Sequence, residues 1–143
     1  MIDYPLSQRS YSSDWGGLTD SRMNHDGCWA AGAADANQYL EIDAGENVLV
    51  SGVATKGRAT GADQWVTSYR VEYQVGDSWI SVREAAFSGN SDRSTTVEQS
   101  FPHPIAAQRW RIVPLTWHGY ISMRAALLVS PGIQLDVPEA QRS

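Results

Sequence analysis

The sequence predicts an all-β fold, an antiparallel β-sandwich of the jelly-roll kind. Three observations carry this. No apolar repeat of helical period persists along the 143 residues. Short runs instead alternate apolar and polar residues with period two. Gly, Asp, Asn, Ser and Pro separate these runs at short intervals, as in sandwiches and jelly rolls.

Taken in order, YLEID (39–43) is the first strand. NVLVSGVAT (47–55) is apolar on both faces, which places it centrally. TSYRVEYQV (67–75) turns Tyr69, Val71, Tyr73 and Val75 to one face and Ser68, Arg70, Glu72 and Gln74 to the other. Gly76-Asp77 makes a tight turn into WISV (79–82). TTVEQSF (95–101) and QRWRIVPL (108–115) follow, the latter with Trp110 and Ile112 inward and Arg109 and Arg111 outward. ISMRAALLV (121–129) closes the series with Ile121, Met123, Ala125 and Leu127 on one face. Pro131 ends the domain, which gives a folded unit over 1–130. The remainder, 131–143, reads either as a linker to another domain or as one more strand, because Ile133, Leu135 and Val137 alternate.

A hydrophobic fraction of 42% with 19% charged residues suits one domain with a sizeable core. The net charge of −5 argues against non-specific nucleic-acid binding, which needs clustered Lys and Arg. Lys56 is the single lysine, so a polybasic membrane patch is excluded as well. Cys28 is the single cysteine and forms no internal disulfide, which implies a reducing compartment or reliance on packing alone. In HDGCWAAG it reads as a semi-buried small hydrophobe. No signal peptide, transmembrane stretch or N-glycosylation sequon is visible. No nucleophile elbow, phosphate-cradling loop or H-E-x-x-H pattern is present, so the expectation is a binding module and not an enzyme.

The segments QYLEID, GVATKGR, DQWVTSYRVEY, FSGNSDR, PHPIAAQRWRIVPL and WHGYISMRAAL occur in that order over residues 8–129. In this combination the chain resembles the discoidin domain, also called the coagulation-factor V/VIII type C domain. DQWVTSY and PLTWHGYIS are similar to the slime-mould discoidin lectins, and FSGNSDRSTTV to the retinoschisin branch. The resemblance implies a galactose-binding-domain-like sandwich that binds ligand on loops at one end. It also implies extracellular or cell-surface action. Matched onto this chain, those loops are 10–17, 56–64, 88–93 and 116–120. The resemblance assigns ligand contacts to Arg58 and to Asp63 or Gln64. The chain departs from the family in lacking the bracketing cysteines, in carrying Ala126 where an acidic residue is usual, and in placing Tyr11 and Trp15 in the first loop.

Six tryptophans divide by setting. Trp79, Trp110 and Trp29 are expected in the core, and Trp65 in the core or as a ligand wall. Trp15 and Trp117 lie in polar, Gly-rich turns, where an indole can stack on the C–H face of a sugar ring. Arg58 has a planar fork suited to paired hydroxyls or a carboxylate, or to an ion pair with Asp63 that pins the loop. Arg93 is expected to pair with Asp92. Lys56, His118 and Tyr120 complete the candidate ligand-binding set of Trp15, Arg58, Asp63, Gln64 and Trp117. The three histidines share no metal-ligand spacing. The oxygen-rich stretch 14–26 makes Asn24 and Asp26 candidate ligands for calcium, with an Asx-turn loop as the plain alternative. The functional expectation is a lectin-like adhesion module for galactose-type glycans, gaining strength through a homo-oligomer or a second domain. The alternative is an adhesion module for phospholipid head groups or matrix protein.

Overall fold

A computed structural model describes residues 1–130; the stretch 131–143, with the linker-or-strand expectation, lies outside the described residues. The strands are β1 (Arg9–Tyr11), β2 (Trp29–Ala30), β3 (Leu40–Lys56), β4 (Trp65–Val75), β5 (Ser78–Ser81), β6 (Phe87–Ser88), β7 (Val97–His118) and β8 (Ser122–Val129). All pairings are antiparallel, in the order β2-β8-β3-β7-β4-β5, with β1 added on β3 and β6 on β4. The all-β sandwich expectation is borne out.

The strands differ from expectation in their continuity. The runs 39–43 and 47–55 are one long strand, β3, and the runs 95–101 and 108–115 merge into β7. Each interruption survives as a register shift. One lies between Asp43 and Val48, where Gly45 adopts a left-handed φ of 86°. The other lies between Val50 and Gly52, opposite the FPHP stretch of β7. Pro102 and Pro104 have no N–H to donate, so the ladder skips there without ending the strand. The two long bent strands thereby form the spine that both faces share.

The core is aromatic. Tyr69, Phe87, Phe101, Trp110 and Tyr73 form a chain with successive ring centroids 5.7–5.8 Å apart. Trp29 and Trp110 are fully buried, as predicted. Trp79 is not in the core. It stands opposite Gln74 on edge strand β5, on the same side as Glu72 and Arg70, and the Arg111 guanidinium covers it 3.9 Å from the ring centre. Val75 also departs from its expected face: at the hairpin tip the core has run out and it is 52% exposed. Cys28 is buried, and burial pushes its thiol pKa up.

Candidate ligand-binding site

At one end of the sandwich a cavity of about 300 Å³ is lined by Trp15, Ala30, Arg58, Gln64 and Tyr120. Each wall is fixed by its own local chemistry. In the first loop, the Asp14 carboxylate accepts the Gly17 N–H at 2.9 Å, and Gly16 and Gly17 take left-handed φ values of 60° and 80°. The Trp15 N–H donates to the Ala30 carbonyl at 2.8 Å, and the Trp29 indole N–H donates to the Ser13 carbonyl at 2.8 Å. The backbone of Trp15 is thus anchored while the residue remains 58% exposed.

The second loop closes on its own guanidinium. Arg58 Nε donates to the Thr60 carbonyl at 2.7 Å, and Nη1 donates to Gln64 Oε1 at 3.1 Å. The backbone N–H of Arg58 donates to the Gln64 carbonyl at 3.0 Å. Gln64 Oε1 also accepts from the Ser122 hydroxyl at 2.7 Å, so its acceptor capacity is spent on the protein. Among the described residues no hydrogen bond engages Arg58 Nη2 or the Gln64 amide nitrogen. In the fourth loop, Gly119 has a φ of 78°, and a Cβ there would lie 2.8 Å from the Asp63 carbonyl oxygen. That close approach sets loop 116–120 against loop 56–64. The Tyr120 hydroxyl donates to the Ala31 carbonyl at 2.7 Å.

The third loop braces the second from behind. The Asp92 carboxylate accepts from the Thr95 hydroxyl and backbone N–H and from the Ser94 N–H, which hold it below the usual carboxylate range. Arg93 pairs with Asp63 at 3.3 Å. This replaces both expected ion pairs, Arg58 with Asp63 and Arg93 with Asp92. Beneath the second and third loops and the 23–25 stretch lies buried Arg124. Its Nε donates to the Gly57 carbonyl at 2.9 Å, Nη2 to that of Arg93 at 2.8 Å, and Nη1 to those of Met23 at 3.2 Å and His25 at 3.1 Å.

Of the sequence-predicted residues, Trp15, Arg58, Gln64 and Tyr120 meet at the cavity. Lys56 turns its ammonium to the Met23 carbonyl, and Asp63 points outward to Arg93. Trp117 is half-buried against the core, and His118 stacks on half-buried Trp65 with ring centres 4.4 Å apart. Ala30 and Arg124 escaped the sequence reading. Ala30 is a small buried residue that lines the cavity and offers a carbonyl, and Arg124 lies in a mostly apolar strand whose pattern gives no sign that its guanidinium turns inward.

Calcium does not fit these residues. Asn24 and Asp26 are exposed, and the carbonyls of Met23 and His25 already accept from Arg124. Ala126 is buried against Met23 and Ala54. Among the described residues no three His, Cys, Asp or Glu side chains converge as a metal-binding group.

This architecture, with loops gathered over one end of an antiparallel sandwich, is that of a discoidin-type binding module. The F5/8 type C domain model matches residues 6–127, and the chain belongs to that family. It is 37% identical over 118 residues to retinoschisin of Mus musculus, covering 76% of this chain and 52% of that protein. The chain thus spans about half the length of that relative. The discoidin II structure from Dictyostelium discoideum superposes with a TM-score of 0.78 at 28% identity, covering 86% of this chain and 55% of that one. A family 32 carbohydrate-binding module from C. perfringens NanJ, solved with galactose, shares the fold with a TM-score of 0.66 at 19% identity, over 87% of this chain and 92% of that one.

Proposed function

We propose that this domain is a non-catalytic, lectin-like adhesion module that binds galactose-type glycans in the cavity between Trp15 and Arg58. The observation that carries the reading is the pairing of an exposed indole wall with the unengaged Nη2 of Arg58 in one cavity. A pyranose offers an apolar C–H face to the first and oxygen acceptors to the second. The galactose complex of the fold neighbour NanJ supports the choice of sugar class. One small cavity binds one sugar weakly, so adhesion would draw on several copies, through a homo-oligomer or a further domain.

A glycan array followed by titration tests this. Arg58→Ala and Trp15→Ala are each expected to weaken binding of an array-positive glycan by about tenfold or more, which is about 1.4 kcal/mol. Arg109→Ala should leave binding unchanged, because Arg109 is engaged with Glu41 and Asp43 on a strand face. Wild-type affinity in both loop variants would remove the cavity as the binding site. Trp117→Ala is a poor probe because Trp117 packs on the core.

A further inference from the structure

We infer that the sugar taken by this cavity carries a carboxylate: a hexuronate of the galactose type, with its carboxyl group on the Arg58 guanidinium. This rests on the carbohydrate reading and sharpens it.

The cavity wall is rich in donors and poor in acceptors. Side-chain donors remain unengaged at Arg58 Nη2 and at the Gln64 amide nitrogen, while the Trp15 indole N–H is a third donor without a partner among the described residues. Acceptors are scarce. Gln64 Oε1 already accepts from Arg58 and Ser122, and the Tyr120 hydroxyl spends its proton on Ala31, leaving one phenolic lone-pair site. Asp63, the carboxylate nearest in sequence, pairs with Arg93 and is absent from the cavity wall. A neutral hexose presents hydroxyls that must donate as well as accept, and here they would find almost no acceptor. A carboxylate only accepts, and it matches the guanidinium in charge, with Nη2 as the nitrogen left to donate to it.

The charge of the surroundings permits this. The four loops carry Lys56, Arg58 and Arg93 against Asp14, Asp63 and Asp92, so this end is balanced while the net −5 belongs to the rest of the chain. Within the cavity wall Arg58 is the charged residue, with no carboxylate beside it. A single cation with one unengaged nitrogen, Nη2, suits a monoanionic carboxylate better than a phosphate dianion. The exposed indole supplies the stacking surface a sugar ring needs, which a bare anion would not use.

The test is a calorimetric or NMR titration of the wild-type domain with galacturonate, its methyl ester and galactose. Galacturonate is expected to bind about tenfold or more tightly than the ester or galactose, with the advantage shrinking as salt rises. In Arg58→Gln the three should converge, while Arg109→Ala should retain the preference. Equal or tighter binding of galactose or the ester overturns the inference and leaves the carbohydrate reading standing. Displacement of galacturonate by glycerophosphoserine at lower concentration overturns the sugar assignment of the anion site. Failure of all three sugars and of a glycan array overturns both.

Discussion

Trp110 shows what a single position in a strand conveys. It alternates with two arginines, and the structure buries it between Phe101 and Tyr73, with its indole N–H donating to the Ala107 carbonyl at 3.1 Å. Trp110→Ala is expected to cost about 3–5 kcal/mol, read as the shift in a denaturant midpoint. A change below 1 kcal/mol would mean that the aromatic chain does not hold the core. Cys28 makes a second residue-scale test. Buried and with its thiolate disfavoured by desolvation, it should react with a thiol reagent only after unfolding; rapid labelling of the native domain would contradict its burial. Trp79 departs from the core position its sequence predicts for a clear reason. Its strand has four residues, too few for alternation to fix which face is buried, and pairing with the polar side of β4 decided the matter. Partners across loops were equally hidden, because chain proximity does not tell Asp63 whether Arg58 or Arg93 lies within reach.

At the level of elements, alternation located the five longer strands but split the two longest, and it passed over β1, β2 and β6, which at two or three residues are too short to show a period. A glycine-centred bulge and a Pro-His-Pro stretch look in sequence like strand ends, yet tertiary pairing carries β3 and β7 straight through them. The loops were legible as turns, and their convergence followed from the family resemblance; which side chains face inward did not. Gly119 tests the junction of two loops. Its left-handed φ and the 2.8 Å approach of the Asp63 oxygen mean that Gly119→Ala is strained twice over. The expected result is a loss of about 1–3 kcal/mol in stability together with weaker glycan binding. Unchanged melting and binding would show that loops 56–64 and 116–120 are not in mutual contact.

For the whole molecule, acid is the informative stress. Asp20 is held below the usual carboxylate range by Arg22, Asp43 by the Gln108 amide and Asp92 by Thr95. A carboxyl group whose folded pKa is depressed stabilises the fold above its unfolded value of about 3.9, and that contribution is lost as pH falls through the folded value. The melting temperature should therefore be nearly level from about pH 7 to 5 and drop below about pH 4. A melting temperature that rose on acidification below that point would contradict these carboxylate hydrogen bonds. Arg124 bears on the same scale. Replacing it with Met would leave the Gly57, His25 and Arg93 carbonyls without that donor and the Met23 carbonyl to Lys56 alone, and a loss of about 3 kcal/mol or more is expected in chemical unfolding. Every one of those contacts is to main chain, and main chain is common to all sequences. A loop can therefore exchange its side chains for others while the grip beneath it is untouched. The binding end is in that sense a set of interchangeable tips on one fixed mount. Transplanting the 56–64 tip, whose Gly57 carbonyl Arg124 holds, from another member of the family should redirect the ligand while the mount keeps its stability.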